Sequence, residues 1–252
     1  MRPIEEKTHF TIPTTLFTML TRLKSVVLCL GAAALCPPAP AQNPEPMGFQ
    51  WRSALLQSGA FLGIQHGFRL ATEPGTREGL KGPFWRDYCD SVTSLGGWSD
   101  GDPFLVNFVG HPMEGAVAGF IQIQNDPQYR RLQFGASDYW RSRVRAMGFA
   151  ALYSTQFELG PISEASIGNV QKGPPRSGGI VDLVVTPTYG TGWLIAEDAL
   201  DRYLVRRIES WTDSPWLKLI ARSSLNPSRT FANVLRLKKP WYRDDRGGVS
   251  RR

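Results

Sequence analysis

The stretch WSDGDPFLVNFVGHPMEGAVAGFIQIQ, residues 98–124, decides the fold. From Pro103 to Gln124 it holds no lysine or arginine, so it reads as a helix buried in protein or lying at a membrane edge. Within it Asn107, His111, Glu114 and Gln122 fall near one stripe at helical spacing. Burying an amide or a hydroxyl without a partner costs roughly 2–7 kcal/mol, and a charge costs more. The stripe is therefore either a satisfied structural network or a site. Asp102 and Pro103 supply a helix start, and Pro112 removes a backbone donor, which predicts a kink just after His111.

Outward from this stretch the periodicity stays helical. Residues 51–70 read as a first helix in which Gly59, Gly63 and Gly67 repeat every four residues. Glycine costs about 1 kcal/mol per helical position relative to alanine. Three in register therefore predict the close approach of another backbone. The second helix has its own stripe of Gly115, Ala118 and Gly119. A third helix is expected over 137–158, closed by Gly160 and Pro161. A fourth is expected over 179–209, kinked near Pro187, with Asp182, Thr186, Glu197 and Asp198 set among apolar residues. Asn226 and Pro227 open a last helix that runs to Lys239. Residues 73–97 and 163–177 read as turns and loops. The expected fold is mainly α, a compact helical bundle of about five helices with Gly-mediated close packing and long loops.

The chain begins with the pattern of an export signal. Arg22 and Lys24 precede the apolar run 25–36 (SVVLCLGAAALC), and Ala39-Pro40-Ala41 gives a small-residue cleavage site. The run is shorter than the ~20 residues a spanning helix needs. The expected organisation is a signal peptide over 1–41, with Met1 or Met19 as the start, and one α-helical domain over 42–252. Cys29 and Cys36 leave with the signal, so Cys89 has no partner for an intrachain disulfide and the fold depends on its core. Cys89 itself reads as a small, partly buried residue.

Positive charge is concentrated at one end. The whole chain carries a net charge of +7. Residues 202–252 alone hold 13 basic and four acidic residues, a net of +9, interleaved with Trp211, Trp216, Trp241 and Tyr242. This pattern points to anionic lipid or a membrane surface rather than to nucleic acid. The competing reading is that these aromatics are core residues and the arginines pair with the acidic body. Protein partners are left open.

The usual catalytic signatures are missing. There is no G-x-S-x-G elbow, H-E-x-x-H pair, Gly-rich phosphate loop, C-x-x-C pair or dinucleotide fingerprint. What remains is His111 and Glu114, one helical turn apart and able to share a proton or a metal. His111, Glu114 and Glu158 are the candidate catalytic residues, with His111 as base. Asn107, His66, Glu164 and Asp182 are the candidate binding residues. Glu158 ends a helix, where the dipole opposes a carboxylate, so it needs a compensating partner such as Arg69. His66, His111 and Glu114 are expected within one side-chain shell. Neither a cofactor nor a particular metal is assigned, and structural hydrogen bonding is the competing reading of the whole cluster.

Trp98, Asp100, Gly101, Asp102, Phe104, Asn107, Gly110, His111, Pro112 and Gly115, followed by Gln124-Asn125-Asp126-Pro127, carry a resemblance. So do Phe157-Glu158 with Gly160, and Ser163-Glu164. The pattern resembles uncharacterised bacterial envelope proteins with an N-H-P-G helix motif. More remotely it is similar to VanZ-like helical proteins, which also place a histidine on one helix and acids on later ones. The resemblance implies an exported helical protein with a polar core and brings no reaction. Two functions are expected from different classes. One is a non-enzymatic envelope protein of the periplasm or outer membrane, held peripherally at the membrane. The other is a hydrolase or transferase acting on an envelope lipid or glycan.

Overall fold

A computed structural model describes residues 48–94, 96–98, 102–168 and 180–249. The expected signal peptide and most of the 163–177 loop lie outside the described residues. Helices α1 (Trp51–Thr72), α2 (Pro74–Gly79) and α3 (Phe84–Thr93) lead into a π-helical turn at Val106–Gly110 and then α4 (His111–Gln124). After them come α5 (Tyr139–Leu159), a π-helical turn at Glu164–Gly168, and α6 (Val181–Leu200). A third π-helical turn (Asp201–Val205) continues into α7 (Arg206–Trp211), followed by α8 (Pro215–Ser224) and α9 (Pro227–Leu235). The architecture is all-α, with no strand among the described residues. There are more and shorter helices than the sequence reading expects.

Helix α4 is the centre. Every residue from Glu114 to Gln124 is buried, which is why a stretch without lysine or arginine can be helical there. It packs chiefly on α6 and α5, which also pack on each other, while α9 and α1 cover it further. Ala116, Val117, Phe120 and Ile121 of α4 meet Ala146, Ala150, Tyr153 and Phe157 of α5, with Leu194, Phe61 and Ala232 completing the core.

Close backbone packing occurs at Gly115 and Gly190 rather than at the glycines of α1. A Cβ on Gly190 would stand 2.8 Å from the Cα of Gly115, and one on Gly115 would run into the Thr186 carbonyl. Helices α4 and α6 therefore cross in backbone contact. The stripe on α1 does not take part: a Cβ on Gly59, Gly63 or Gly67 meets nothing within 4 Å. Helix α1 packs through Ala54, Gln57, Phe61 and His66 instead, and its glycines lie on the exposed side.

Other boundaries shift for local reasons. The 73–97 connector contains α2, opened by Pro74 at its first turn, and α3, which buries none of its residues fully. Cys89 on α3 is exposed rather than partly buried. The last helix stops at Leu235 rather than Lys239, and Leu237 adopts a left-handed φ of 56°. Asn226 does not cap α9 with its side chain. Glu197 of α6 does so, accepting the backbone N–H groups of Ser228 (2.9 Å) and Arg229 (3.1 Å), while Asn226 donates to the Glu197 carbonyl.

The arginines of the C-terminal region turn inward. Arg243 donates to Asp201 at 2.9 Å, Arg246 spans Asp201 and Glu209, and Arg222 meets Glu209. Arg236 pairs with Asp244, Arg206 with Asp245, and Arg229 with Asp198. Most of the positive charge in 202–249 thus ties the end of the chain to itself and to α6.

Candidate functional site

Three helix ends and one π-helical turn build the site. The turn at 106–110 arises where Pro112 cannot donate, so the helix widens and the His111 N–H donates to the Val106 carbonyl five residues back. Pro112 then occupies the first turn of α4, where a missing donor costs little. A widened turn before His111 stands where a kink after it is expected. Asn107, on the widened turn, and His111 and Glu114, on the first turn of α4, are all buried.

His111 sits between carboxylates. Its Nδ1 lies 3.5 Å from Glu114 Oε2 and its Nε2 lies 3.4 Å from Asp182 Oδ1, in the first turn of α6. Glu158, in the last turn of α5, brings a carboxylate oxygen to the same place. One ligand atom each from His111, Glu158 and Asp182 lies within 4.8 Å of the others. Burial disfavours the charged imidazole, but Glu114, then Asp182 and Glu158, outweigh it and raise the His111 pKa to about 9. The raised pKa favours the protonated imidazole near neutral pH when no cation is bound. Burial and the nearby Glu114 charge push the Tyr153 hydroxyl well above the usual tyrosine range.

His66 stands one ring away. It stacks on Phe157 at 5.1 Å with an interplanar angle of 12°, and His111 meets the same ring edge-on at 6.5 Å. Burial, then the charge of Arg69, holds the His66 pKa below its ordinary value, against a backbone interaction with Ile162. Arg69, expected beside Glu158, pairs with Glu164 and Glu73. Of the candidate residues, His111, Glu114, Glu158 and Asp182 come together. His66 and Glu164 form an adjoining group around Arg69, and Asn107 lies one turn before His111. This arrangement can hold a proton at His111 Nε2 or Nδ1, or a cation among His111, Asp182 and Glu158.

A second polar centre forms around Asp198, whose setting among apolar residues the sequence shows but whose partners it does not. Asp198 accepts Tyr139 Oη at 2.8 Å and Arg143 Nε at 2.8 Å, and also pairs with Arg229. Arg143 is only 1 % exposed, although it stands between Arg141 and Arg145 near the start of α5. Its position in register with the buried residues Tyr139, Ala146 and Ala150 is the signal that could have found it. Glu197, next to Asp198, is raised above the usual carboxylate range by burial, which outweighs the hydrogen bonds from Ser228 and Arg229.

No helix among the described residues is long and apolar enough to cross a membrane. No family of known proteins, no curated protein and no solved structure matches the chain.

Proposed function

We propose that this is an exported protein of the bacterial cell envelope that attaches peripherally to a membrane surface, with its buried His/carboxylate cluster serving the fold. The observation that carries the membrane reading is the orientation of α8. Trp216, Leu217 and Ile220 of this amphipathic helix are 71 %, 52 % and 53 % exposed, while Ala221 and Arg222 are buried. Its apolar face points outward, the reverse of what packing onto a protein core requires. Trp211 is exposed beside it, with the Arg207 guanidinium 4.6 Å from the indole centroid. Indoles and aliphatic side chains flanked by Arg207 and Lys218 suit the boundary between head groups and acyl chains.

Because most C-terminal arginines are paired internally, the attachment rests first on apolar insertion and only second on charge. Vesicle co-sedimentation tests it. The protein should pellet with vesicles containing phosphatidylglycerol, and Trp216→Ser/Leu217→Ser/Ile220→Ser should stay in solution with its helical circular dichroism intact. Equal pelleting of the two proteins, or no pelleting of the wild type, would refute the reading.

A second reading is an enzyme acting on an envelope lipid or glycan, favoured by the placement of His111 between Glu114 and Asp182. With His111 held as an imidazolium, that chemistry would use it as general acid and a carboxylate as base. His111→Gln separates the readings. An intact fold with a lost cellular phenotype favours the site, whereas loss of stability alone favours structure.

A further inference from the structure

We propose that His111, Asp182 and Glu158 form a site for a divalent first-row transition metal ion, with Glu114 as the carboxylate that orients the imidazole. The three ligating side chains come from three helices that pack on one another, so the fold rather than a local loop brings them together. Metal sites inside helical bundles are built this way, from histidine and carboxylates projecting inward from facing helices.

The His111–Asp182 distance fits coordination better than direct hydrogen bonding. His111 Nε2 and Asp182 Oδ1 are 3.4 Å apart. That is long for a hydrogen bond, whose usual N···O distance is about 2.9–3.0 Å. It matches the edge of a tetrahedron with bonds of about 2.0–2.1 Å, roughly 3.4 Å. Ligand atoms of all three lie within 4.8 Å of one another, and Glu158 is the least buried of them.

Histidine ligands commonly donate their second ring N–H to a carboxylate, which fixes the tautomer that binds the metal. His111 has that layout at longer range: Nδ1 lies 3.5 Å from Glu114 Oε2, outside hydrogen-bond geometry, while Nε2 faces Asp182. Glu114 is only 8 % exposed, and its Oε1 has no hydrogen-bond partner. One imidazole nitrogen with carboxylate oxygens suits zinc, iron(II) or manganese(II) better than calcium or magnesium, which favour oxygen alone.

The test uses the full chain, stripped with a chelator and titrated with Co²⁺ by visible absorption and with Zn²⁺ by calorimetry. One equivalent of each metal should bind. Asp182→Asn and Glu158→Gln should each weaken binding at least 10-fold, and Glu114→Gln should weaken it about 10–100-fold while keeping one equivalent. Zinc-edge X-ray absorption of the wild type should show a nitrogen/oxygen shell with outer scattering from one imidazole, which keeps the test decisive if a variant fails to fold. Absence of uptake by the wild type, a shell without imidazole, or unchanged affinity in a folded Asp182→Asn protein would overturn the proposal.

Discussion

The Cα of Gly115 and a Cβ placed on Gly190 would be 2.8 Å apart, so α4 and α6 touch backbone to backbone. That crossing lies one turn beyond His111 and two turns beyond Asp182, and it sets how closely His111 and Asp182 face each other. The geometry of the polar cluster is thus a consequence of two glycines.

Substituting these glycines should separate a packed stripe from an exposed one. Gly115→Ala and Gly190→Ala should each cost roughly 3 kcal/mol or more, because backbone rather than a flexible side chain must move. Gly63→Ala, whose Cβ meets nothing within 4 Å, should be stabilising by about 0.5–1 kcal/mol through helix propensity. Urea unfolding of the three variants checks both signs.

This contrast shows what the sequence could convey. Periodicity and glycine spacing revealed that helices with small-residue stripes exist, and the lack of charge in 103–124 marked α4 as central. Spacing could not say which stripe meets a partner, since Gly59, Gly63 and Gly67 look as good as Gly115 and Gly119 until the fold is known. The α8 helix escaped the reading because its apolar face is not a core face. Likewise the local pattern located His111, Glu114, Glu158 and Asp182 as polar residues in apolar settings. Only packing distinguished Asp182, which faces His111, from Glu164, which belongs to Arg69.

The Arg143–Asp198 pair anchors α5 to α6 inside the protein. Both side chains are 2 % exposed. Arg143→Met removes one partner of a buried pair and should cost roughly 3–5 kcal/mol. Thermal or denaturant unfolding measures this, and a loss below 1 kcal/mol would show that Arg229 alone satisfies Asp198.

Acid should loosen the C-terminal region before the core. Burial opposes ionisation of Asp201 and Glu209, but Arg246 and Arg243 at Asp201, and Arg222 and Arg246 at Glu209, hold both below their ordinary values of 3.8 and 4.5. Groups with depressed folded pKa values contribute stability that is fully present above the unfolded values. It is lost as pH falls through the folded ones. Stability should therefore be level from pH 7 to about 5 in this respect and fall steeply below pH 4. Asp201→Asn should flatten that limb in denaturant titrations at stepped pH.

If α8 turns its apolar face to a membrane, Trp211 and Trp216 lie at the head-group boundary of the bilayer. Tryptophan fluorescence is recorded on anionic vesicles whose lipids carry bromine near the head-group end of the acyl chain. The wild type should be clearly quenched, and Trp211→Phe/Trp216→Phe should lose most of that quenching. Quenching that persists unchanged in the double variant, or no quenching in the wild type, would contradict it.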